Sequence, residues 1–84
     1  MELDIHTAQI RFTKHARERL VRIDPDIEIA IDVVKNVIKT GKWIRKSKKN
    51  GNINTVVKRY HDYEIKVEFA YRAGQIDIIT IKVR

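Results

Sequence analysis

The feature that most constrains this chain is a change of period at Gly41. Before Gly41 the apolar residues recur every three or four positions, and after it they alternate with polar ones. The first pattern belongs to helices with one buried stripe, the second to strands with one buried face. A chain of 84 residues has room for one domain, 1–84. Helices and strands must therefore share a single core.

Thr13 can cap a first helix, its hydroxyl satisfying an orphan amide. Ala16, Leu20 and Ile23 then fall at i, i+4 and i+7 and make one apolar stripe. His15, Arg19 and Arg22 repeat that spacing one residue earlier, about 100° around the helix and beside its core face. Asp24-Pro25-Asp26 reads as the start of a second helix, with Asp24 as cap and Pro25 at the first helical position. Ile27, Ala30, Ile31, Val34, Val37 and Ile38 give it a broad apolar face, and Gly41 ends it as a C-terminal cap.

Lys42 to Lys46 then reads as a first strand. Asn50-Gly51 is the strongest hairpin signal in the chain. Ile53 to Tyr60 reads as a second strand, with His61-Asp62 as a short turn. From Tyr63 to Arg72 the odd positions are aromatic or β-branched and the even ones mostly charged, as in a half-buried strand. A last strand runs from Ile76 to Val83, with Ile79, Ile81 and Val83 expected on the core face. The expected architecture is α+β, with two N-terminal helices packed on one face of a four-stranded antiparallel β-meander. The other face is left free and carries Lys66, Glu68, Thr80 and Lys82.

The chain has no cysteine, which excludes disulfides, thiolate metal sites and a cysteine nucleophile. His6, His15 and His61 are scattered, and no H-E-x-x-H or D-x-D pattern occurs, so no metal site is expected. There is no Gly-rich phosphate loop and no G-x-S-x-G elbow, so no cofactor is expected either. No basic-then-apolar leader opens the sequence and no apolar run spans a bilayer, so a soluble, cytoplasmic protein away from membranes is expected. The net charge of +7, from 18 Lys and Arg against 11 Asp and Glu, favours a polyanionic partner. Nucleic acid comes first, an acidic protein second and an anionic membrane surface third. A charge-rich surface that serves only solubility is the plain alternative.

Basic and aromatic residues remain as candidate chemistry. Lys42, Arg45, Lys46, Lys48 and Lys49 flank Trp43 in the first hairpin. Lysines there can neutralise phosphates and an exposed indole can stack on a base, although a lone Trp is more often core. Lys58-Arg59-Tyr60-His61 forms a second cluster, suited to a bound phosphate or to guarding an edge strand with charge. His15 can donate or accept a proton near neutral pH, and Arg19 one turn away can grip a phosphate. That pair suits RNA cleavage by attack of a ribose 2′-hydroxyl, which needs proton transfer and cations around the phosphorane. In the plain reading His15 bonds the backbone and Arg19 pairs with a carboxylate.

The stretch FTKHARERLVRIDPDIEIAIDVV resembles the opening of domain-of-unknown-function family 4258, of the form F-[ST]-x-H-A-x-x-R-[ML]. Phe12, Thr13, His15, Ala16, Arg19 and Leu20 match it. The stretch VVKRYHDYEIKVEFAYRAGQIDIITIKV is similar to that family's strands. Val21-Arg22-Ile23 departs from its usual Glu-Arg-Gly turn. The family is grouped with RelE-like toxins of the barnase–EndoU–colicin–RelE ribonuclease fold. The resemblance implies RNA as substrate, no metal, and an acidic antitoxin protein as partner. By position His15 and Arg19 match the family's helix motif, Thr80 the threonine of its last strand, and Arg59 and Tyr60 its basic-aromatic strand. In a ribonuclease His15 would move the proton, Arg19 hold the phosphate, Lys58 or Arg59 stabilise charge, and Thr80 or Lys82 line the free sheet face. Three functions follow from the residues and the likeness: a metal-independent endoribonuclease, a nucleic-acid- or protein-binding module of the same fold, and a structural subunit that forms a homodimer.

Overall fold

The computed structural model describes residues 9–47, 51–72 and 74–84. Strand β1 (Gln9–Phe12) comes first, followed by a short helix α1 (Lys14–Arg19) and a 3-10 turn over Leu20–Arg22. Helix α2 (Ile27–Thr40) and strands β2 (Lys42–Arg45), β3 (Ile53–Arg59), β4 (Glu64–Arg72) and β5 (Gln75–Val83) complete the chain. The five strands form one sheet in the order β1-β5-β4-β3-β2. The chain enters at one edge, crosses the sheet through its helices to the opposite edge, and returns strand by strand.

The expected four-stranded antiparallel meander behind two leading helices is therefore corrected. A strand precedes the helices, the sheet has five strands, and β1 pairs with β5 in parallel. The physical reason lies in β5. Nine residues long, it would leave a row of unpaired backbone groups along its outer edge. Gln9 to Phe12 pair with Gln75 to Ile78 and satisfy the first half of that row. Thr13 extends the pairing by donating its amide to the Ile78 carbonyl at 3.0 Å.

The Thr13 hydroxyl does two jobs at once. It accepts the Ala16 amide at 3.2 Å, capping α1, and donates to the Ile79 carbonyl at 3.0 Å. The first turn of α1 is thereby fixed to the edge of β5, and Ala16 and Leu20 are driven into the core. Helix α2 starts two residues later than expected. Asp26 is its cap, accepting the Glu28 and Ile29 amides, while Asp24 accepts the Asp26 amide at 2.8 Å and shapes the approach. Ala30, Val34, Val37 and Ile38 bury the inner face of α2. They meet Val56, Ile65, Val67, Phe69, Ile76, Ile78 and Ile81 of the sheet.

Gly41 closes α2 with φ −74°, not in the left-handed conformation expected of a glycine cap. Its lack of a side chain matters for space. A Cβ there would meet the Val37 carbonyl oxygen, Val56 Cγ1 at 2.7 Å and the Val57 carbonyl oxygen at 2.9 Å. Trp43 is half-buried on the core side and meets Phe69 edge-to-face, ring centroids 5.6 Å apart.

One expectation about β5 fails in detail. Ile76 and Ile78 are buried, whereas Ile79 is only half-buried. The register shifts between Glu68 and Phe69, so that Ile79 is an extra residue between the pairs Phe69↔Ile78 and Glu68↔Thr80. This bulge changes the phase of the alternation and returns Ile81 and Val83 to the core side. No helix of the described residues is long and apolar enough to cross a membrane.

Candidate nucleic-acid interface

Both helices lie on one side of the sheet, and among the described residues no helix covers the opposite side. Strand alternation decides which residues face it. Ile65, Val67 and Phe69 point to the core, so Glu64, Lys66 and Glu68 point away. Register carries the assignment across the sheet. Lys42, Val57, Lys66 and Lys82 form one row over β2, β3, β4 and β5. Arg45, Thr55, Glu68 and Thr80 form the next. Arg59, Glu64 and Arg84 lie at one end of the sheet. Arg11, Asp77, Ala70 and Ile53 lie toward the other, followed by Arg72 and Gln75.

The open face thus carries eight cations (Arg11, Lys42, Arg45, Arg59, Lys66, Arg72, Lys82 and Arg84) against three carboxylates, Glu64, Glu68 and Asp77. None of these charges neutralises another at close range. Among the described residues the one ion pair is His61–Asp62 at 3.8 Å, on an exposed turn. Lys66 and Lys82 sit directly opposite each other on neighbouring antiparallel strands. Like charges so placed oppose folding by a few tenths of a kcal/mol. A surface with such a surplus of cations raises the local concentration of polyanions, although Arg59 stands opposite Glu64 and Arg11 opposite Asp77. Across five strands spaced about 4.8 Å apart the face is roughly 20 Å wide.

The structure divides the residues singled out in the sequence. Lys42, Arg45, Arg59, Thr80 and Lys82 face the open side. Lys58 and Tyr60 do not. Lys58 shares the core side with Ile65 and donates to the Thr40 hydroxyl of α2 at 2.5 Å, its ammonium 5.5 Å from the Tyr60 ring. Tyr60 stacks on Tyr63 at 5.1 Å and accepts from the Asn36 amide at 3.4 Å. Lys46 lies over the Trp43 ring at 5.3 Å. Lys48 and Lys49 fall outside the described residues.

His15 is exposed and Arg19 is half-buried. One helical turn apart, their Cβ atoms are about 5–6 Å from each other. His15 lies two residues from Thr13, and Thr80 directly follows the Ile79 carbonyl that Thr13 holds. His15 and Thr80 therefore lie at the same edge of the sheet, but α1 is on the core side while Thr80 faces the opposite side. Arg59 does not join them. It stands two strands across and four residues along from Thr80, roughly 16 Å away by strand spacing and rise.

Sequence reasoning missed Arg11, Arg72 and Asp77 as members of this surface. They come together only because β1 pairs with β5 and places Arg11 opposite Asp77. The polar-apolar alternation of Gln9-Ile10-Arg11-Phe12 was the available signal. Among the described residues no three His, Asp or Glu side chains gather as metal ligands would. The chain matches no family model, no curated protein and no solved structure.

Proposed function

We propose that this chain is an RNA-binding domain that acts as a metal-independent endoribonuclease of the toxin type. The observation that carries the binding half is the open sheet face, with eight cations against three carboxylates and two lysines set in opposition. Such a face attracts phosphates along a strand and releases their counterions. The helices pack on the other side of the sheet, against Val56, Ile65, Val67 and Phe69, so the cations take no part in that core.

The cleaving half rests on the exposed His15 and its neighbour Arg19, together with the resemblance of the F-T-x-H-A-x-x-R stretch to ribonuclease-fold toxins. His15 takes the proton of a ribose 2′-hydroxyl while that oxygen attacks the adjacent phosphorus. Arg19 offsets the charge gathering on the phosphorane oxygens. The 5′-oxygen leaves with a proton supplied by solvent water, and the products are a 2′,3′-cyclic phosphate and a 5′-hydroxyl. An acidic antitoxin is the partner this reading implies, in keeping with the net charge of +7.

The experiment is incubation of the full chain with end-labelled RNA in EDTA, beside His15→Ala. Cyclic-phosphate products that vanish in the variant support cleavage. The second reading, a binding module without catalysis, is favoured by the spread of the cations, with Arg59 roughly 16 Å from Thr80. Salt-sensitive RNA binding with intact RNA recovered would select it.

A further inference from the structure

The open face holds a depression of about 430 Å³, bordered by residues of β1, β5, β4 and β3. Phe12, Ile53, Ala70 and Ile79 give it apolar walls, and Arg11, Arg72 and Asp77 supply the charge. Its volume falls within the roughly 300–1,000 Å³ of small-molecule sites.

Each polar group has capacity to spare. Asp77 accepts the Gln75 side-chain amide at 2.7 Å on one carboxylate oxygen. No other bond to that carboxylate occurs among the described residues, so its second oxygen is open. Arg11 and Arg72 are exposed, and neither is in an ion pair among the described residues. An apolar recess holding an acceptor-only carboxylate, with guanidinium groups at its border, is complementary to one kind of ligand. That ligand has a flat ring with little polarity on its faces, an N–H donor on its edge, and a phosphate attached.

We infer that this depression takes one unpaired nucleotide of a bound RNA strand, with its phosphate on Arg11 and Arg72 and its base edge read by Asp77. The inference rests on the RNA reading above and adds a base preference to it. A carboxylate accepts from the exocyclic amino group of cytosine. Uracil's edge donor, N3–H, is flanked by two carbonyl oxygens that the carboxylate repels. Cytosine is therefore held over uracil, although the two rings are the same size.

The test uses the full chain and two labelled single-stranded hexanucleotides, all-cytidine and all-uridine, at low salt. The wild type is expected to bind the cytidine strand tenfold or more tightly. Asp77→Asn turns half of the carboxylate into a donor and keeps an oxygen for Gln75. It is expected to bring the two affinities within about twofold, a near-complete loss of a preference of the size usual for one good base contact. Ala70→Leu fills the recess and is expected to remove the preference while leaving salt-sensitive binding. Equal affinities in the wild type, or a preference that survives Asp77→Asn, would overturn the inference and leave the RNA reading standing. Failure of both strands to bind would overturn both.

Discussion

Lys66 and Lys82 face each other across β4 and β5, and replacing both with threonine has opposite expected effects on folding and on binding. The surplus of five cations on the open face, eight less three carboxylates, bounds how many phosphates it can neutralise. For single strands the slope of log K against log salt is about −0.7 per phosphate, so the wild type should give about −3.5. Losing two cations should bring the slope to about −2. Stability should move the other way. Removing a directly opposed pair of like charges, and introducing β-branched residues into strands, should raise the unfolding free energy by about 0.2–1 kcal/mol. The assay is fluorescence anisotropy of a labelled single-stranded RNA over a range of salt, with urea unfolding of both proteins alongside. A double variant that keeps the wild-type slope would refute the assignment of this row to RNA. A variant that is less stable as well as weaker in binding would refute the claim that the lysine pair opposes folding.

Other outcomes follow from single residues. Gly41→Ala should destabilise the fold by about 1–3 kcal/mol, because its Cβ runs into two carbonyl oxygens and the Val56 side chain; thermal melting reads the loss. Asp26→Ala removes the acceptor for the Glu28 and Ile29 amides and should lower stability by about 1 kcal/mol, measured by urea denaturation. Phe69→Ala empties a fully buried site that also supports Trp43, and should lose about 3–5 kcal/mol in the same assay. His15→Ala should leave the melting temperature within a degree or two, since surface changes stay within about 0.5 kcal/mol, while abolishing RNA cleavage in EDTA.

The sequence made α2 and the strands from Lys42 onward legible because their periods are long and regular. Nine alternating residues in β4 are hard to mistake, and Ile27 to Gly41 carries a broad apolar stripe with a helix-start signal before it, although that signal pointed to Asp24 as the cap and the cap is Asp26. Strand β1 escaped for two reasons. Four alternating residues are too few to stand out, and its partner lies at the far end of the chain, where no turn residue announces the pairing. That single omission turned a mixed five-stranded sheet into an antiparallel four-stranded one. It also hid the recess between Arg11, Arg72 and Asp77. The bulge at Ile79 was hidden differently. Ile78-Ile79 offers two equivalent apolar residues in succession, and period alone does not say which one turns inward. Lys58 and Tyr60 show the limit of reading charge clusters from sequence. Adjacent to Arg59 along the strand, they face the opposite side of the sheet and are held by α2.

Amide chemical-shift mapping of the labelled protein with single-stranded RNA tests the central claim most directly. The strand rows around Lys66, Thr80 and Lys82 should shift, together with the first turn of α1, while the middle of α2 stays still. Perturbations gathered on α2, or none at low salt, would contradict an RNA surface on the bare side of the sheet.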